Sequence, residues 1–232
     1  MLDSATVASN VARIRDRLAS ACERAGRDPD GVRLVGASKT VSAEALRAAV
    51  AAGVIEFGEN YVQELRDKRS EVEGVRWHFI GTLQSRTAPR VAELADVVQT
   101  LAPGRASERL IRRAAERDSP LEAMIEVDFA GRGSGVEPSA LEAFADRIAS
   151  ADAVRLVGLM TLPLATETAD GARPYFVRLR ELRDRLRSSH RDAVELSMGM
   201  SQDYEVAAEE GATIVRVGTA LFGARPAADG PG

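Results

Sequence analysis

Short apolar runs alternate with amphipathic stretches along most of the chain. Strand-like runs fall at 33–37, 54–57, 77–80, 97–100, 121–127, 154–159, 194–197 and 214–217. Between them, helical periodicity is read near 42–52, 60–73, 86–95, 105–117, 137–149, 169–188 and 202–210. An opening helix is predicted over 4–25, where Val7, Val11, Ile14, Leu18, Ala21 and Ala25 recur at spacings of three and four, with Asp3 or Ser4 to cap its start and Gly26 its end. Short apolar strands separated by helices predict an α/β fold with a parallel sheet. Eight such units fit a closed (β/α)8 TIM-type barrel better than an open sheet, which would leave two edge strands unpaired. No helix of normal length follows the last strand, so the N-terminal helix is expected to cover that flank. One domain over residues 1–232 is expected, with 224–232 as a flexible tail.

Composition narrows the function classes. The net charge is −4, and the arginine-rich stretch 178–187 alternates with acids, so no basic footprint points to nucleic acid. No apolar run reaches membrane-spanning length, and the N-terminus has neither a basic region nor an apolar core of the secretory type. The single cysteine, Cys22, cannot form an internal disulfide and lies on a helical pattern, which reads as a buried thiol in a reducing, cytoplasmic setting. One cysteine and two distant histidines offer no metal constellation.

Of the 31 basic residues, only Lys39 and Lys68 are lysines. Arginine stays protonated and forms no imine, whereas a lysine amine can attack a carbonyl. Lys68 sits in ELRDKRSEVE and reads as a solvated lysine on a charged helix. Lys39 follows the apolar run LVGA at the end of the first strand. In a (β/α)8 barrel, that end of the strands is the active face. Gly58-Glu59-Asn60-Tyr61 is read as the loop after the second strand. Gly218-Thr219 follows the eighth strand, and Ser201 is read as opening a helix after the seventh, a grouping that suits a phosphate. Arg216, amid strand apolars, reads either as a partner of a neighbouring carboxylate or as a ligand contact. His78 reads as a packed, hydrogen-bonded histidine.

The segments LVGASKT (34–40), FGENYVQE (57–64), WHFIGTLQS (77–85), GLM (158–160), LSMGMSQD (196–203) and VRVGTALFG (215–223) resemble the YggS/PROSC family of pyridoxal 5′-phosphate (PLP)-binding proteins, also called PLP homeostasis proteins. The resemblance implies a barrel similar to the N-terminal domain of alanine racemase, with PLP held by Lys39 as a Schiff base. It places the phosphate near Ser201, Gly218 and Thr219 with Ser197 nearby, Arg216 toward the ring nitrogen or the phosphate, and Asn60, His78 and Met160 along the pocket. Departures from the family pattern fall at Thr82, Arg86 and Gly133, all in loops. The resemblance implies a carrier or regulator of intracellular PLP, in transient contact with PLP-dependent apoenzymes. The alternative is an amino-acid racemase. A racemase of this fold draws a tyrosine base from a second domain, and none of Tyr61, Tyr175 and Tyr204 has a context that marks it as that base. Without that domain a monomer is expected.

Overall fold

A computed structural model of the chain describes residues 3–164 and 166–223. The strands are Arg33–Ala37 (β1), Glu56–Glu59 (β2), Arg76–Phe79 (β3), Val97–Leu101 (β4), Leu121–Glu126 (β5), Val154–Met160 (β6), Glu195–Ser197 (β7) and Ile214–Val217 (β8). Each pairs in parallel with its sequence neighbours, and β8 pairs with β1 to close the barrel, with Val35 opposite Arg216 and Gly36 opposite Val217. The helices are Ser4–Arg24 (α1), Ala43–Ala51 (α2), Val62–Glu71 (α3), Ala88–Leu94 (α4), Arg105–Ala114 (α5), Leu141–Ala149 (α6), Arg173–Leu186 (α7), Tyr204–Glu209 (α8) and Thr219–Phe222 (α9).

The main apolar core lies between the strands and the helices, as it must where each strand is shielded by the helix that follows it. Because α9 is a single turn, α1 takes its place on the wall. Val7, Val11, Ile14, Leu18, Ala21 and Cys22 are buried there, and α1 packs on α2, α8 and α9. The amide of Asn10 donates to the carbonyl of Leu221, 3.0 Å away, and so satisfies an orphan acceptor at the end of α9.

The barrel interior divides in two. Val35, Met124, Val157, Met160 and Ile214 form an apolar cluster drawn from strands on opposite sides, so they meet inside. The rest of the interior is polar, with Glu56, His78, Gln99, Ser197 and Arg216 all buried.

Two sequence-based boundaries shift where they affect the site. The second strand runs Glu56–Glu59 rather than 54–57. Val54 faces the helix layer and Ile55 is exposed, so the apolar pair that suggested the strand lies ahead of it. Gly58 and Glu59 are therefore strand residues, and the loop begins at Asn60. Ser201 does not open a helix: α8 starts at Tyr204 with Asp203 before it, and Ser201 lies in the preceding turn. The tail expected over 224–232 lies outside the described residues.

Candidate cofactor site at the barrel mouth

Lys39 sits in the turn that follows β1. The Val41 N–H donates to the Ser38 carbonyl at 2.9 Å, which closes the turn, and Thr40 adopts a left-handed φ of 62°. Such a φ is uncommon for a β-branched residue. The Lys39 side chain is half-buried, and among the described residues it has no hydrogen-bond or ion-pair partner. A lysine at a barrel mouth without a carboxylate partner is suited to react rather than to neutralise.

Closure of the barrel brings the last strand beside this lysine. A Cβ added at Gly218 would stand 3.4 Å from the Cβ of Ala37 and 3.5 Å from its carbonyl oxygen, so the turn after β8 lies against the end of β1. The hydroxyl of Ser201 accepts the N–H of Ala220 at 3.2 Å, tying the turn after β7 to the one after β8. Thr219 is exposed beside them, while Ser201 and Gly218 are half-buried. Ser201, Gly218 and Thr219 thus converge at one corner of the mouth, as the sequence spacing suggests. A glycine there admits an anion close to the backbone. Across the mouth, Gly81 lies against the loop after β2: a Cβ there would fall 2.1 Å from the Asn60 carbonyl oxygen.

Beneath the mouth runs a directed chain of hydrogen bonds. Arg216 donates from one terminal nitrogen to the Ser197 hydroxyl (2.5 Å) and from the other to the Thr161 carbonyl (2.8 Å). Ser197 donates to the Gln99 side-chain oxygen at 2.6 Å, and the Gln99 amide donates to His78 Nδ1 at 2.8 Å. His78 Nε2 donates to Glu56 at 2.8 Å. Burial pushes the His78 imidazole below its ordinary 6.5, against the pull of Glu56. A neutral ring has one donor and one acceptor, which is what this chain demands. Burial opposes the charge on Glu56, but His78, Arg33 and Arg76 together hold its carboxyl below the usual range. Burial pushes Arg216 down to about 10, with Asp203 and Glu126 acting in the other direction, so it remains cationic at neutral pH. Burial raises the carboxyls of both Glu126 and Asp203.

Several expectations are modified at the residue level. Both ring nitrogens of His78 are engaged inside the barrel, so it supports Ser197 through Gln99. Met160 is fully buried in the interior apolar cluster. Lys68 is not solvated. It is buried on α3, and its ammonium donates to the Ser38 carbonyl (2.6 Å), Glu59 (2.7 Å) and Glu64 (2.5 Å). Gln99, Glu56, Glu59 and Lys68 join these networks although the sequence reading does not mark them as site residues. The signal for Lys68 was present: the scarcity of lysine that singles out Lys39 applies equally to it.

The barrel, its parallel closure and the lysine at the end of β1 define a class of protein. A family model described as the N-terminal domain of alanine racemase matches residues 3–226. The alanine racemase of Corynebacterium glutamicum shares this fold, at a TM-score of 0.68 and 17% identity, over 98% of this chain and 63% of that one. At the level of sequence, a pyridoxal phosphate homeostasis protein of Aquifex aeolicus is 40% identical over 220 residues, covering 93% of this chain and 96% of that protein. PipY of Synechococcus elongatus, solved with PLP bound, is 35% identical at a TM-score of 0.79, over 90% of this chain and 100% of that one. The chain belongs to the pyridoxal phosphate homeostasis family, within the alanine racemase N-terminal domain group.

Proposed function

We propose that this protein holds PLP for intracellular, cytoplasmic homeostasis and binds it through a Schiff base to Lys39. The observation that carries the reading is the Lys39 amine, half-buried at the barrel mouth with no partner among the described residues and flanked by the Gly218 corner. The residues fit the cofactor. Lys39 offers the amine. Ser201, Gly218 and Thr219 offer hydroxyls and an approachable backbone for the phosphate. Asn60, Ser197 and Arg216 bound the remaining space, while Met160, within the interior apolar cluster, and His78, through Gln99, act from behind. Bound PLP supplies an aldehyde; the Lys39 nitrogen adds to its carbon, the C=N bond forms and one water leaves.

Arg216 suits a holder of PLP, or a racemase, better than a transaminase. A cation beside the pyridine nitrogen would oppose its protonation, which makes the ring a weaker electron sink. The naming of the relatives as homeostasis proteins favours the holder. The protein then acts as a monomeric, non-catalytic carrier that meets PLP-dependent apoenzymes transiently.

Adding PLP to the purified protein should produce a visible imine absorption band that Lys39→Ala abolishes. A protein that PLP does not colour would overturn the assignment. Lys39-dependent racemisation of any L-amino acid would replace the carrier with a racemase.

A further inference from the structure

Lys68 and the buried Glu59, with the partly exposed Glu64, form a cluster beside the Lys39 turn. Glu59 is fully buried in β2, at 0% side-chain exposure. One of its oxygens accepts the N–H groups of Asn60 (2.7 Å) and Tyr61 (3.2 Å). The other accepts the Ser38 hydroxyl (2.8 Å) and the Lys68 ammonium (2.7 Å). A single carboxylate therefore anchors the loops that carry Lys39 and Asn60.

The same cluster grips the backbone on both sides of Lys39. The carbonyl of Ser38, in the peptide before Lys39, accepts from Lys68 at 2.6 Å. The N–H of Thr40, in the peptide after it, donates to Glu64 at 2.8 Å. Glu64 in turn receives Lys68 at 2.5 Å, four residues along α3. Holding both flanking peptides leaves the Lys39 backbone little rotational freedom, and it keeps Thr40 at its left-handed φ of 62°. Lys68 has three donors and here meets three acceptors. A planar guanidinium does not reproduce that arrangement, which accounts for a lysine in a chain that otherwise uses arginine.

We infer that Lys68, acting through Ser38, Glu59 and Glu64, is a positioning residue that holds the Lys39 amine in line for attack on an incoming aldehyde. This rests on Lys39 being the imine-forming lysine. It distinguishes two stages of binding. Neither Lys68 nor Glu64 hydrogen-bonds to the phosphate corner or to the interior chain from Arg216 to Glu56, so docking through those groups does not depend on Lys68. Covalent capture, in which the Lys39 nitrogen adds to the aldehyde carbon and water departs, depends on it.

The two stages separate with two ligands: PLP, and pyridoxine 5′-phosphate, which lacks the aldehyde. Lys68→Met should slow growth of the imine band after mixing with PLP by about tenfold to a hundredfold, the scale of a misplaced reacting group. Its affinity for pyridoxine 5′-phosphate should match that of the unaltered protein. Equal losses with both ligands would reduce Lys68 to a structural ion pair, and an unchanged capture rate would remove it from the site. Should Lys68→Met fail to fold, Glu64→Ala, at a partly exposed position, carries the same expectation through the Thr40 contact. Lys39→Ala is the control. If it still forms the imine, the Lys39 assignment has failed, independently of the Lys68 result.

Discussion

At neutral pH the imidazole of His78 is uncharged, because burial pushes it below 6.5 more strongly than Glu56 lifts it. In the unfolded chain the same ring binds a proton as pH falls below about 6.5. Below that value the unfolded state holds more protons than the folded one, so the contribution is complete above it and is lost as pH falls toward the folded value. The slope is at most about 1.4 kcal/mol per pH unit. Urea unfolding at pH 7.5, 6.5 and 5.5 should therefore show a steeper acid loss in the native protein than in His78→Gln; parallel profiles would mean that the ring titrates alike in both states. The two lysines show what was legible at this scale. Lys39 stood out by chemistry and by its place after LVGA. Lys68 was hidden because its surroundings in sequence, ELRDKRSEVE, are those of a solvated helix face. Its partners Ser38 and Glu59 lie 30 and 9 residues away and meet it only when β1, β2 and α3 pack.

Periodicity predicted α1 well, because a long amphipathic stripe with a capping Asp3 has no competing reading. The side chain of Asp3 accepts the N–H of Thr6 as that reading requires. Its role as the missing wall of the barrel follows from the shortness of α9. Ile14, at 1% exposure, is central to that wall. Ile14→Ala should cost about 2–5 kcal/mol of stability by opening a cavity between helix and barrel, measurable by urea denaturation. A change within about 0.5 kcal/mol, as at an exposed site, would contradict the packing. The pattern predicts strand β2 two residues ahead of its observed position, and the reason is physical. Strands whose inner face carries glutamate, histidine or glutamine do not read as continuous apolar runs, so the apolar residues Val54, Ile55 and Phe57 pull the predicted strand ahead of Glu56–Glu59.

For the molecule as a whole, alternation alone carried the eight-stranded closed barrel, since parallel strands buried on both faces and separated by helices leave few other arrangements. The convergence of Ser201, Gly218 and Thr219 was also legible, because barrel geometry gathers the loops after β7 and β8. The hydrogen-bonded chain from Arg216 to Glu56 was not, since it joins five strands across the interior and no spacing in sequence announces it. These parts combine into a mouth with the Lys39 amine, the proposed cradle for an anion and a hydrogen-bonded polar floor. The central claim is that Lys39 is the residue that holds PLP. Borohydride reduction of the PLP-loaded protein followed by peptide mapping tests it most directly. The phosphopyridoxyl group is expected on the peptide containing Lys39; its appearance on the peptide containing Lys68, or on no lysine, would contradict the account.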